Sequence, residues 1–190
     1  MPNADSMPRW LAPALIVLLA VLGGFAGLWA GRVWLGAPQL NSADGADAAP
    51  RELSLNDLGG TPQQLSELRG QPLLINFWAT WCTPCIRELP LLQSLHDSRH
   101  QGGLQVLLIA QEDDPQLVQS FLSEHSISLP SWIDPPSSGD ASRALGNLRN
   151  VLPFSVLLDA DGRVLKRRAG AFNEALLAEW AQAARTGASR

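Results

Sequence analysis

The residues of this chain best suited to chemistry are two cysteines, its only ones among 190 residues. They stand two residues apart in Trp81-Cys82-Thr83-Pro84-Cys85, between an apolar run (73–78) and a stretch with apolar residues at helical spacing. This pattern predicts a buried strand, then the cysteines, then a helix. At a helix N-terminus, the dipole and the free N–H groups favour the thiolate form of a cysteine. The pair therefore has the position of a redox-active dithiol that closes a disulfide within one helical turn.

The two sulfurs of such a dithiol have different tasks. We expect Cys82 to be the exposed thiol that attacks a substrate disulfide, and Cys85 to be the more buried thiol that resolves the mixed disulfide. Pro84, in the first helical turn, is expected to stiffen the loop. Two structural alternatives are a half zinc site and an inert disulfide. Zinc needs further ligands, and the chain has no second cysteine pair; an inert disulfide closing so small a loop adds little stability.

The elements that must position the pair follow from apolar patterning. Two continuous apolar runs indicate strands that are buried on both faces, and stretches of helical periodicity separate them. The predicted elements in chain order are a hairpin (53–62), a strand (73–78), a helix after the cysteines, a strand (104–110), a helix (115–125), a hairpin (154–159 with 163–169) and a final helix capped by Asn173. This order predicts an α/β fold, with a mixed sheet and helices on both of its faces.

At residues 76–90, NFWATWCTPCIRELP, the sequence resembles the membrane-anchored thioredoxin-like thiol–disulfide oxidoreductases, the TlpA/ResA-like group. The resemblance extends over about residues 51–185 and includes LSELRGQP (65–72) and VLPFSVLLDADGRV (151–164). It implies a thioredoxin-like fold and dithiol–disulfide exchange at the WCTPC motif, with no cofactor.

The same resemblance implies a substrate-binding segment around Leu152 and Pro153. It implies a cis proline that faces the disulfide, so that the backbone of Leu152 pairs with an extended substrate. The alternative is a proline that only begins an edge strand. Trp81, beside the attacking cysteine, is expected to shield the disulfide or to contact substrate.

Glu88 lies one helical turn after Cys85, where a carboxylate could exchange a proton with the Cys85 thiol. An acidic residue early in a helix also suits the helix dipole, and the residues alone leave both roles open. Resemblance to the group's Cys-x-x-Glu pattern favours the catalytic one. Asn76 stands in the strand where ordinary thioredoxins carry an aspartate. Asparagine cannot titrate, which leaves Glu88 as the candidate acid–base group; asparagine is usual in the anchored group.

The N-terminal region predicts a membrane anchor. Residues 10–31 contain no charged side chain, and 22 helical residues span about 33 Å, enough to cross a bilayer core. We expect a short tail (1–9), a transmembrane anchor (10–35), a flexible linker (36–50) and a thioredoxin-like domain (51–190). A cleaved signal peptide is the alternative, although its apolar region usually runs only about 7–15 residues.

Composition limits the partners. A net charge of −4 and a pI near 5.3 argue against nucleic-acid binding. No metal site is expected, because only three histidines are present, and we expect His96 and His100 to be solvated. The basic run 166–168 is also expected to form a solvated face.

The resemblance further implies location and partners. It implies a single-pass protein of the cytoplasmic membrane with its domain on the periplasmic side. It implies substrates such as apocytochrome c or copper-site cysteines, and a membrane electron donor of the DsbD or CcdA type. The tether suits a donor in the same membrane, because it raises their effective concentration.

Two alternative functions differ from this one. A copper(I) metallochaperone would use both cysteines as thiolates, but members of this kind add a histidine near the cis proline, and none lies near Pro153. The other alternative is exchange in the oxidising direction, which depends on the relative stability of dithiol and disulfide. The Thr-Pro dipeptide between the cysteines resembles the reducing members.

Overall fold

The computed structural model describes residues 53–101, 104–137 and 140–187. All of them lie in the second of the two units of the chain, Ala46–Arg190. The strands in this part of the chain are β1 (Ser54–Asp57), β2 (Pro62–Gln64), β3 (Leu73–Trp78), β4 (Gln105–Ala110), β5 (Ser131–Ile133), β6 (Phe154–Leu158) and β7 (Val164–Ala169). The helices there are α1 (Thr83–Asp97), α2 (Pro115–Glu124), α3 (Ala141–Ala144) and α4 (Glu174–Gly187), with short 3-10 helices at Leu65–Leu68 and Arg99–Gln101.

The strands form one sheet in the order β2-β1-β5-β4-β3-β6-β7. Its centre is parallel, with β3 beside β4 and β4 beside β5, whereas β6 pairs antiparallel with β3 and β7 pairs antiparallel with β6. Every residue of β3 is buried, as expected for a strand covered on both faces. The predicted α/β fold with a mixed sheet is confirmed.

Two apolar layers cover the sheet. On one face, side chains of α1, α2 and α4 pack over Leu74 and Trp78 of β3. On the other face, α3 and the first 3-10 helix pack over Ile75 and Phe77. Alternate residues of β3 therefore point into different layers, and α1, which begins with the cysteine pair, lies on the same face as Trp78.

One strand and one helix were not predicted. β5 has three residues, too few for a period-two pattern, and it is held by pairing with β4 on one side and β1 on the other. α3 has four residues, fewer than a periodicity argument can detect. The predicted order is therefore incomplete between α2 and the second hairpin, where the structure has β5 and α3.

The prediction that His96 is solvated is wrong. Its Nδ1 accepts a hydrogen bond from the backbone N–H of Val106 at 3.1 Å, which ties α1 to the start of β4. Burial lowers the pKa of His96, which favours the neutral ring that this bond requires. In the described ranges, no group of three or more histidine, cysteine or acidic residues could hold a metal ion.

The predicted tail (1–9), anchor (10–35) and linker (36–50) lie outside the described residues. Among the helices of residues 53–187 that are described, none combines the length and apolar content needed to cross a bilayer.

Candidate active site

The two cysteines form a disulfide where β3 leads into α1. Their Cα atoms are 5.3 Å apart, and Cys82 is the N-cap residue of the helix. The backbone N–H of Cys85 donates to Cys82 Sγ at 3.4 Å. This N–H belongs to the first helical turn and has no helical carbonyl to bind, so it is free to stabilise negative charge on that sulfur. Cys82 is thus the cysteine at which the helix favours a thiolate.

The prediction that Cys82 is exposed is wrong in degree. Cys82 is only 5% exposed, and Cys85 is fully buried, so the order of accessibility is as predicted. The neighbouring Trp81 is 70% exposed. Cys82 faces a groove of about 500 Å³ that is lined by Trp81, Cys82, Thr83, Pro84, Gln111, Pro136, Asn150 and Leu152. A substrate sulfur must therefore reach Cys82 through this groove.

One wall of the groove is formed by the segment before β6, through Asn150 and Leu152. The Leu152–Pro153 peptide bond is cis, as the resemblance implied. Leu152 lines the groove, and Phe154 just after it pairs with Phe77 of β3. Because β3 also leads into the cysteine pair, this pairing brings the two predicted segments together, and residues 81–84 and Leu152 line one groove.

The segment before the cis proline is held by Asn147, a residue that the sequence analysis missed. Asn147 is buried, and its Nδ2 donates to Ser142 Oγ at 2.7 Å and to the carbonyl of Val151 at 2.9 Å. Its Oδ1 accepts from the N–H of Val151 at 3.1 Å. One side chain thus satisfies both backbone groups of the residue next to Leu152 and fixes that wall of the groove to α3.

Asn147→Ala is expected to lower the free energy of unfolding by about 1–3 kcal/mol, because it leaves buried partners without hydrogen bonds. We also expect the substitution to slow exchange with an oxidised substrate peptide more than it slows exchange with a small disulfide such as oxidised glutathione. Only the longer peptide needs the ordered wall of the groove. Urea unfolding and stopped-flow kinetics measure the two effects. The exposed Asn56→Ala is the matched control, and equal stability of the two variants would contradict the role of Asn147.

The loop before Cys82 is held by Glu112, also missed from sequence. Its Oε1 accepts from the backbone N–H of Thr80 at 2.8 Å and from the hydroxyl of Thr80 at 2.5 Å. Glu112 follows β4, whose carboxyl end lies beside that of β3 in the parallel pair. The sequence did offer one signal for Glu112, a polar residue close after a predicted parallel strand. Functional side chains of α/β sheets commonly lie at the carboxyl ends of such strands.

Glu88 and Asn76 lie together in the interior, and both are buried. Glu88 is 1% exposed; its Oε1 accepts from Asn76 Nδ2 at 2.8 Å, and its Oε2 accepts from the backbone N–H of Phe172. Asn76 Nδ2 also donates to Ser155 Oγ at 3.0 Å. Glu88 is thus a buried carboxyl on α1 held by β3 and by the segment before α4, and only its sequence spacing relates it to Cys85.

Opposing effects set the proton affinity of Glu88. Burial raises its pKa above the ordinary glutamate value, and this is the largest effect. The hydrogen bonds from Phe172 and Asn76 and the charge of Arg168 act in the opposite direction. The net result is a raised pKa, which is suited to a carboxyl that gains and loses a proton during a reaction.

This raised pKa predicts a pH-dependent stability difference between the wild-type chain and Glu88→Gln. Because the folded-state pKa exceeds the unfolded one, the stabilising contribution of Glu88 is full below the unfolded pKa and is lost as pH rises through the folded pKa. The variant cannot ionise, so its stability relative to wild type should rise over that range. Urea unfolding across the range checks this, with the exposed Glu67→Gln as control. A constant difference between wild type and Glu88→Gln would contradict it.

Fold and site together define a class of protein: a thioredoxin-like domain with a disulfide at a helix N-terminus, next to a groove that is also lined by the residue before a cis proline. The Redoxin family model matches residues 44–183, and the chain belongs to this family.

Relatives support the same class. The chain is 28% identical over 116 residues to a thiol-disulfide oxidoreductase ResA of Bacillus cereus, covering 61% of this chain and 65% of that protein. This match spans slightly less than two thirds of the length of that relative. With ResA of Bacillus subtilis it shares 25% identity over 170 residues and 87% of each chain. The predicted resemblance to the TlpA/ResA-like oxidoreductases of the thioredoxin superfamily is confirmed.

A solved structure agrees with this fold. A secreted thiol-disulfide isomerase from Corynebacterium glutamicum superposes with a TM-score of 0.62 at 26% identity, over 68% of this chain and 81% of that one.

Proposed function

We propose that this chain is a membrane-tethered oxidoreductase that reduces disulfides of extracytoplasmic proteins through Cys82 and Cys85. The observation that carries the proposal is the disulfide itself. It lies at a helix N-terminus, with Cys82 facing a groove and Cys85 buried behind it. The ResA relatives, named thiol-disulfide oxidoreductases, support the reaction class.

The reaction begins from the reduced dithiol. The Cys82 thiolate attacks one sulfur of a substrate disulfide, forming a mixed disulfide and releasing the other substrate sulfur as a thiolate. Cys85 then loses its proton and attacks Cys82 Sγ. The Cys82–Cys85 disulfide forms, and the second substrate sulfur leaves, taking up a proton to become a thiol. Two electrons pass from the chain to the substrate.

Glu88 is proposed to accept the Cys85 proton in the second step. The Nδ2 of Asn76 donates to Glu88 Oε1 at 2.8 Å, as an ionised carboxylate requires, and Asn76 Oδ1 is buried with no hydrogen-bond partner among the described residues. A half-turn of the amide would present Oδ1 to a protonated Glu88 and to the hydroxyl of Ser155, both of which can donate. Asn76 can therefore bind either protonation state, whereas an aspartate there would add a second negative charge.

Substrate is proposed to bind in the groove as an extended segment. The backbone of Leu152 offers strand-like hydrogen bonds, and the exposed ring of Trp81, which lines the same groove, provides apolar contact area. Backbone recognition admits different sequences, which suits apocytochrome c or copper-site cysteines as substrates.

The anchor predicted at residues 10–31 is proposed to hold the domain on the periplasmic side of the cytoplasmic membrane. The chain leaves each cycle oxidised, so it needs an electron source, for which a membrane reductase of the DsbD or CcdA type is proposed. Tethering both to one membrane raises their effective concentration without any additional contact.

The test is electron transfer from the reduced full-length chain to an oxidised Cys-x-x-Cys-His peptide, followed by thiol labelling and mass spectrometry. We expect one peptide disulfide to be reduced for each Cys82–Cys85 disulfide that forms. The reverse result, a reduced peptide gaining a disulfide from the oxidised chain, would favour the oxidising alternative and contradict the proposal.

A further inference from the structure

A polar row crosses the sheet beneath α1 and α4, on a face that is otherwise mostly apolar. In the strand register, Asn76 of β3 is paired with Ser155 of β6, and Ser155 is paired with Arg168 of β7. Paired residues of adjacent strands lie on the same face of a sheet. Asn76 and Ser155 are hydrogen-bonded to each other, and Asn76 binds Glu88.

Arg168, at the end of this row, is not part of a solvated basic face, so the expectation for 166–168 is wrong for this residue. It is half-buried; its Nε donates to the carbonyl of Gly170 at 3.2 Å and its Nη2 to the carbonyl of Ala171 at 3.3 Å. The next residue, Phe172, donates its N–H to Glu88 Oε2. The Phe172 ring is packed edge-on against Trp180 of α4, with ring centroids 5.0 Å apart.

Through these contacts the Arg168 guanidinium acts on Glu88 in two ways. It binds two consecutive carbonyls of the segment that presents the Phe172 N–H, so it fixes the position of one hydrogen-bond donor to the carboxylate. It also places a positive charge on the face of the sheet that is covered by α1, the helix that carries Glu88. Arginine suits this task because its planar fork binds two acceptors at once and stays charged at any working pH.

We propose that Arg168 is a positioning residue for Glu88, the acid–base group of the exchange reaction. It fixes the 170–172 segment and supplies a positive charge, so that Glu88 can ionise inside the core. The inference deepens the proposed role of Glu88, on which it rests. Without Arg168, the carboxyl would remain protonated to higher pH and would accept the Cys85 proton less readily.

The surroundings of Glu88 support this assignment. β3 and β6 contribute the neutral Asn76 and Ser155, the segment before α4 contributes a backbone N–H, and β7 contributes Arg168. On α1 itself, the adjacent Arg87 is exposed, and Cys85 lies one turn before Glu88. Within the described residues, Arg168 is the charged side chain that acts on this carboxyl, and it lowers the pKa of Glu88 against the larger effect of burial.

The experiment is a titration of Glu88 in the oxidised full-length chain, carrying carbon-13 in its glutamate carboxyls. The Glu88 signal is assigned as the one that Glu88→Gln lacks. We expect Arg168→Gln to move the titration midpoint of Glu88 to higher pH. Arg167→Gln is the matched control, because the exposed Arg167 donates to the carbonyl of Leu145 instead. The same midpoint in both variants would overturn the inference.

Exchange kinetics provide the second readout. We expect Arg168→Gln to slow exchange about threefold or more at pH values below the wild-type midpoint of Glu88, with its rate approaching wild type well above the midpoint of the variant. In a Glu88→Gln background the same change should have no pH-dependent effect, and an undiminished effect there would overturn action through Glu88. If the midpoint moves and no rate changes, Arg168 tunes Glu88 as inferred, and the proposed catalytic role of Glu88 fails instead.

Folding of the variants does not limit the test. If Arg168→Gln does not fold, Arg168→Lys replaces it, because lysine keeps the charge but cannot donate to both carbonyls in a fixed fork. A midpoint above that of wild type is expected there, and a midpoint equal to that of wild type would overturn the inference.

Discussion

Cys82→Ser is expected to abolish disulfide exchange, whereas Cys85→Ser is expected to accumulate mixed disulfides with substrate. A serine at position 82 offers no thiolate where the Cys82 sulfur lines the groove. A serine at position 85 leaves the attacking sulfur in place but removes the buried thiol that resolves the intermediate. We expect turnover to fall at least about a thousandfold in both variants, because the two residues act as a unit.

Non-reducing electrophoresis with mass spectrometry measures the outcome, after incubation with an oxidised substrate peptide. The adduct should join the peptide to Cys82 and disappear on addition of dithiothreitol. The double variant Cys82→Ser/Cys85→Ser is the control and should form no adduct. A fully active Cys85→Ser chain would show that one thiol suffices and would contradict the two-thiol mechanism.

Glu88→Gln is expected to slow the resolving step by about a hundredfold, within the usual range for loss of a general base. The carboxylate is the active form, and burial raises the pKa of Glu88, so the wild-type rate should rise with pH as this carboxyl ionises. Glutamine keeps the size of the side chain but cannot take a proton. The variant should therefore be slower than wild type, and its rate should no longer rise with pH over the range in which Glu88 ionises.

Single-turnover kinetics across pH separate the two steps: attack by Cys82, seen as mixed-disulfide formation, should be nearly unchanged, and its resolution should slow. Glu67→Gln controls for the loss of one negative charge. Glu67 is exposed and lies on the 3-10 helix Leu65–Leu68, which packs on the other face of the sheet. A wild-type pH profile in Glu88→Gln would return this residue to a purely structural role.

The parts of this molecule with strong local patterns could be predicted from sequence. The apolar run 73–78 is β3, and Asn173 caps α4 by accepting from the N–H of Leu176 at 2.9 Å. Both are determined by neighbours along the chain, either by unbroken burial or by a cap. The cis peptide bond at Pro153 came from the family resemblance instead, because nothing in a single proline distinguishes it from an edge-strand residue.

The parts determined by long-range contacts could not be predicted. Glu112 binds Thr80, which lies far away along the chain. The bonds of Asn147 and Arg168 are local, and they become significant only because the fold brings Leu152 to the groove and the Phe172 N–H to Glu88. The basic run shows this best. Lys166 pairs with Glu179 on α4, while Arg168 binds the 170–172 segment, so neighbours in one run have separate tasks.

The reduction potential of the Cys82–Cys85 pair in the full-length chain decides whether this dithiol donates electrons to substrate disulfides. Equilibration in thiol–disulfide buffers, followed by tryptophan fluorescence and thiol labelling, gives the fraction oxidised. We expect about −220 mV or lower, the range of proteins that donate electrons to disulfides. A value near about −120 mV would place the pair among strong oxidants and contradict a reductase.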